Sequence, residues 1–221
     1  MTTDDSLEEP RYVVLGDVVD SRKIEDRTAF RSSYAQARAQ IKGEFGGQFV
    51  AGPSVLKGID ELGAVLTGLE SLYDVLVVLQ DALHPHSIRI AVAGGEIEVG
   101  QDGDVAHMDG EAFHRATELL ESIEADKLQF GLNTDTDPLD TAVADEINLL
   151  IHLRASWTDR QREIVSRYEA HGTQRAIAEE LGVSQQAVSN VLQGASWPLV
   201  ETIERRLRET LAAYDHLEAG R

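Results

Sequence analysis

The feature that most constrains this chain is a change of hydrophobic period near residue 136. Before Thr134-Asp-Thr-Asp-Pro138, short apolar and alternating runs are interleaved with helically spaced ones; after it, every patterned stretch is helical. The Asp/Thr/Pro run is turn-forming. A chain of 221 residues is long enough for two small domains. The expectation is α+β: a sheet domain over residues 1–136, then a helical connector and an all-α domain over residues 137–221.

Within the first part, strands are predicted at Arg11–Asp17, Gln48–Leu56, Leu62–Thr67, Ser87–Val99 and Leu128–Leu132. Helices are predicted at Asp26–Phe45, with Phe30, Tyr34, Ala37 and Ile41 on one face, at Leu69–Leu83, and at Asp109–Ala125. This β-α-β-β-α-β order with an added helix and strand is the split βαβ, ferredoxin-like plan. Beyond the boundary the predicted helices are Leu139–Ser156, Thr158–Tyr168, Thr173–Leu181, Ser184–Leu192 and Pro198–Leu217, with a break at Gly172.

Charge is distributed as unevenly as the pattern. The net charge is −19, from 39 Asp+Glu against 20 Lys+Arg. Residues 1–150 hold 29 acids and 11 bases, whereas residues 151–221 hold 10 acids and 9 bases and no lysine. An acidic surface repels phosphates, so any nucleic-acid contact falls to the second part. A high acid count with four lysines in all fits a salt-filled, halophilic cytoplasm. The absence of cysteine excludes disulfides, thiolate catalysis and Cys-ligated metals. No apolar run reaches the roughly 18–20 residues that span a bilayer, and the acidic start does not read as a signal peptide; the expectation is a cytoplasmic protein.

The strongest motif is Thr173-Gln-Arg-Ala-Ile-Ala-Glu-Glu-Leu-Gly-Val-Ser-Gln-Gln-Ala-Val-Ser-Asn-Val-Leu192. Two helices joined through a 3–4-residue turn need a small residue where they touch and a glycine at the turn; Ala178 and Gly182 fit. Ile177, Leu181, Val183, Val188 and Val191 are placed to hold the pair on its support. Ser184 is placed to cap the second helix and is also a candidate DNA contact. That leaves Gln185, Gln186, Ser189, Asn190 and Gln193 outward, where Gln and Asn pair with adenine and Ser with base or phosphate. Arg175, Arg205, Arg206 and Arg208 are candidate phosphate contacts. A helix-turn-helix that reads double-stranded DNA as a homodimer is the expectation. The bland alternative is a helical hairpin for protein contacts, and Trp157–Val165 resembles the helix leading into sigma-factor region four. Trp157 and Trp197, which flank the motif, are expected in the core of the small domain.

Acids cluster at Gly16-Asp-Val-Val-Asp-Ser-Arg22 and at Lys57-Gly-Ile-Asp-Glu61. In a split βαβ sheet the first strand is central and lies beside the hairpin of the second and third strands, so Asp17 or Asp20 approaches Asp60 and Glu61. Converging carboxylates suit magnesium, which also takes phosphate oxygens of a nucleotide; acids of a turn-rich acidic surface give the same letters.

Together with the Ile88–Ile97 strand, Met108-Asp-Gly-Glu-Ala-Phe113 and the terminal helix-turn-helix, these segments resemble the SatD family over nearly the whole chain. The resemblance implies a relative of class III nucleotidyl cyclases and GGDEF-type cyclases joined to a DNA-binding module. It also implies that Asp17, Asp60 and Glu61 are the metal-holding positions. The chain departs from the cyclase pattern in three places. The hairpin has an extra residue and no aromatic after Glu61. Arg115 has no accompanying Asn. A glycine-rich phosphate cradle is missing. The leading expectation is therefore a transcriptional regulator whose first domain senses a nucleotide or dimerises. A magnesium-dependent nucleotidyl cyclase or transferase is the alternative.

Overall fold

The computed structural model describes residues 11–58, 61–98 and 104–218. It is a mixed α+β chain with a five-stranded sheet and eight α-helices among the described residues. The strands are β1 (Tyr12–Val18), β2 (Phe49–Lys57), β3 (Glu61–Leu66), β4 (Ile88–Gly94) and β5 (Phe130–Asn133). The helices are α1 (Arg27–Phe45), α2 (Leu72–Leu83), α3 (Glu111–Ala125), α4 (Leu139–Ala155), α5 (Asp159–His171), α6 (Gln174–Leu181), α7 (Gln185–Gly194) and α8 (Trp197–Glu218). None of them is long and apolar enough to cross a membrane.

Two compact units result, and the chain divides between Asn148 and Leu149 and again between Leu207 and Arg208. Both divisions fall inside a helix, α4 and α8. The turn at residues 134–138 is real: Asp140 sits just beyond it, buried, and accepts from Thr134 N (2.6 Å), Thr134 Oγ1 (2.8 Å) and Thr136 N (3.1 Å). It starts α4, but the first turns of α4 belong to the sheet unit. So does the end of α8, where Tyr214 is fully buried. Burial and the charge of Asp140 push the Tyr214 phenol well above its usual range. Arg208 also works inside this unit, paired with Asp74 at 2.8 Å and stacked over Tyr73.

In the first unit the strand order is β2-β3-β1-β4-β5. β1 is central and antiparallel to both β3 and β4, while β5 runs parallel to β4. One face of β1 puts Val13 into a cluster with Val65, Ala93, Ala112 and Ala116, so α3 covers that face. Tyr12, Val14 and Val18 on the other face are equally buried, which is why β1 reads as an unbroken apolar run. α1 buries Phe30, Tyr34, Ala37 and Ile41, the predicted stripe, and is capped by Asp26 accepting from Thr28 N and Ala29 N. β4 stops at Gly94 instead of continuing toward residue 99. Gly95 turns out of the sheet at φ +146°, and Glu98 is bridged to Asp109 instead.

The edge strand β5 is closed by a side chain. Asn148 Oδ1 accepts from Gln129 N (2.9 Å) and Phe130 N (3.0 Å), and its Nδ2 donates to Phe130 O (2.8 Å). An amide thus supplies the donor and acceptor that a neighbouring strand would.

The second unit is all helical. Its apolar core includes Ile164, Val165, Ile177, Val188, Leu192 and Val200. Beside it lies a buried charge: Arg154 pairs with Glu204 (2.9 Å) and Glu169 (3.1 Å). The guanidinium sits 5.1 Å from the Trp157 ring centroid and 5.9 Å from that of Trp197. Trp157 donates from Nε1 to Ala195 O at 2.9 Å. Both tryptophans are buried in this small core.

Candidate functional site

Two places gather the residues singled out in the sequence. The first is the α6–α7 pair. Thr173 caps α6 by accepting from Ala176 N, and Gly182 ends it in the left-handed region at φ +64°. Ser184 starts α7, its Oγ accepting from Ala187 N at 3.1 Å. The chain therefore turns within three residues, and glycine takes this left-handed φ at no steric cost. Ile177, Ala178, Val188 and Leu192 are buried where the pair meets its support. Val183 does not join them: it is 36% exposed, and its backbone N donates to Ala178 O. Leu181 and Val191 are half-buried.

The outward surface of α7 is Gln185, Gln186, Asn190 and Gln193, all exposed, with Ser189 half-buried. Gln186 Nε2 donates to Asn190 Oδ1 at 2.9 Å, which lines up two amides along one face. Ser184 is engaged as the cap. Arg175 is exposed and faces Glu179 at 3.8 Å. Arg205 and Arg206 are exposed on α8. Arg208, in contrast, belongs to the first unit through Asp74 and is removed from the candidate phosphate contacts. Residues 149–207 hold seven acids and seven arginines, so this unit is neutral in a chain of net charge −19.

The second place is the end of the sheet. The ladder sets Glu61, Asp17 and Arg89 in one row across β3, β1 and β4. Asp17 and Glu61, expected to approach, are cross-strand partners; Asp60 lies outside the described residues. Two carboxylates directly opposite repel. Arg89 offsets this, with Nη1 at 3.7 Å from Asp17 and 3.0 Å from Glu124. Asp20 turns away to Lys23. Among the described residues, no group of three or more His, Asp or Glu side chains is arranged to hold a metal ion.

Beside this row a cavity of about 330 Å³ opens between the sheet and α3. Its lining includes Leu15, Leu56, Leu62 and Leu120 together with Asp17, Glu61, Arg89, Glu121 and Glu124. Arg89 and the two α3 glutamates were not among the residues singled out in the sequence. The signal was present: Ile88-Arg89-Ile90 puts a lone base in an otherwise apolar strand, and Glu121 and Glu124 repeat at helical spacing beside Leu120.

The model of the SatD family matches residues 12–209, and the chain belongs to that family. No curated protein matches it. Among solved structures it is similar to a bacterial light-regulated adenylyl cyclase, at 17% identity and a TM-score of 0.39 over 56% of this chain and 74% of that one.

Proposed function

We propose that this member of the SatD family is a DNA-binding transcriptional regulator in which α6 and α7 form a helix-turn-helix and α7 is the reading helix. The observation that carries this reading is the outward face of α7. Four uncharged amide side chains stand exposed on a helix capped at its start and buried on its other side. Amides are the groups that pair in bidentate fashion with adenine in the major groove. Arg175, Arg205 and Arg206 supply backbone contacts. Confining the acidity to the other unit leaves this one neutral, so phosphates meet no net repulsion here. A homodimer would present two such helices to two half-sites.

For the first unit the reading is a sensory or dimerising domain of ferredoxin-like, cyclase-related plan. The position of β1 between β3 and β4 supports it. A magnesium-dependent nucleotidyl reaction at Asp17 and Glu61 is the weaker reading, because a metal there would have to displace Arg89 from Asp17.

The test is selection of bound fragments from sheared genomic DNA by the full chain, followed by a gel-shift titration. Gln185→Ala/Asn190→Ala is expected to abolish preference among sequences while leaving the protein folded, since both positions are exposed. Each lost bidentate contact costs about 1–3 kcal/mol of discrimination. Unchanged sequence preference in that double variant removes α7 as the reader; absence of any selected fragment removes the regulator.

A further inference from the structure

We propose that the cavity between the sheet and α3 binds an organic polycation, an aliphatic amine carrying two or more ammonium groups. The inference concerns the first unit alone and does not depend on DNA binding.

The lining fixes the sign of the ligand. Asp17, Glu61, Glu121 and Glu124 bring four negative charges against the single positive charge of Arg89, so the wall carries a net −3. A cleft lined by one sign of charge concentrates counter-charges and repels a nucleotide or any other phosphate. Arg89 already shows what this wall does with a cation: its guanidinium bridges from Asp17 to Glu124.

The spacing fixes the kind of cation. A divalent metal needs several oxygens converged on one point. Among the described residues no such group exists. The acids are spread instead: Asp17 and Glu61 stand on two strands, Glu121 and Glu124 one turn apart on α3. Spread carboxylates match charges spread along a chain. The floor then fixes the spine. Leu15, Leu56, Leu62 and Leu120 offer methyl groups between the acids, the surface against which the methylene stems of a polyamine pack, as lysine stems do. A cavity of this volume, with apolar side chains along its floor, is within the usual size of a small-molecule site.

The experiment is calorimetric titration of the full chain with spermidine at about 0.15 M salt, where diffuse surface attraction is largely screened. Saturable one-site binding is expected. It should weaken by about tenfold or more in Glu61→Gln/Glu121→Gln. It should also weaken in Leu120→Asn, and stay unchanged in Glu179→Gln/Glu201→Gln, which removes the same charge from exposed positions of the other unit. Thermal melts check folding, and Glu121→Gln alone, at an exposed helical position, serves if the double variant unfolds. Non-saturable binding overturns the proposal. Equal loss in both double variants also overturns it, because the attraction is then only that of an acidic surface. Displacement by magnesium at matched ionic strength overturns it in favour of a point-cation site.

Discussion

The two units have apolar cores but differ in the charge they bury beside them. In the first, apolar side chains cover both faces of a sheet, and the charge, all of the net −19, stays largely on the outside. In the second, which is neutral, an arginine and a glutamate are taken inside and set among tryptophans. A unit of 59 residues has little apolar area to bury. The ion pair buried beside that core joins α4 to α8 without adding much net stability. The lesson is that the smaller unit has the more brittle core: one deletion there leaves a buried charge, whereas the sheet unit spreads its stability over many contacts.

That contrast can be broken most directly at Arg154. Arg154→Met takes from Glu204, which is 1% exposed, the guanidinium that stands at 2.9 Å; breaking a buried pair from one side costs about 3–5 kcal/mol. Both tryptophans of the chain lie in this unit, so the urea midpoint followed by tryptophan fluorescence reads it alone. The double variant Arg154→Met/Glu204→Leu is expected to recover most of the loss, since replacing a buried pair by apolar groups is close to neutral. A single variant as stable as the parent would show that the polar centre is dispensable.

Asp140 is the nearest counterpart in the first unit. Asp140→Ala removes the acceptor of three hydrogen bonds at the start of α4, at a cost of about 1.5–3 kcal/mol for the loss of a charged acceptor. The far-ultraviolet dichroism midpoint should fall, with the fluorescence midpoint little changed. If both midpoints move together, the two units do not unfold separately. A smaller effect is expected from Asn148→Ala, about 1 kcal/mol. Its more telling signature is concentration-dependent aggregation, because the edge of β5 is then bare; light scattering reads this, and a variant that stays monomeric would show that the amide does not guard the edge.

How much of this was readable beforehand follows from the range of each interaction. The stripe of α1 and the cap Ser184 are local, and period and residue type place them. The pairing of Asp17 with Glu61 needed one topological step, and that step was available once β1 was taken as central. Arg154 with Glu204 spans fifty positions between two helices, and no spacing rule connects them. Asn148 and Asp140 look like ordinary polar letters of an amphipathic helix; only the loop and strand they meet give them a role. The unit divisions were missed for a similar reason. The turn at residues 134–138 is visible, but α4 and α8 each pass through a division without a break in helical pattern.

The smallest predicted effect separates the two units by the sign of a pH dependence. Burial raises the pKa of Glu146, in the first unit, above its usual value. The folded state therefore holds that proton more tightly than the unfolded chain, and ionisation works against folding. Its unfavourable contribution appears as pH rises from about 4.3, the unfolded value, through the raised folded value, and is complete above it. Glu146→Gln should thus raise the dichroism midpoint at neutral pH and lose that advantage below about pH 4. Glu163, in the second unit, is shifted the other way: hydrogen bonds from Arg160 and then Arg167 lower its pKa. Its favourable contribution is complete above the unfolded value and is lost as pH falls through the lowered one. Glu163→Gln should accordingly lower the fluorescence midpoint at neutral pH, with the difference closing in acid. Paired titrations of these two variants set a carboxylate that burial disfavours against one that arginines favour, and a shared sign would mean that the two environments do not differ as their surroundings require.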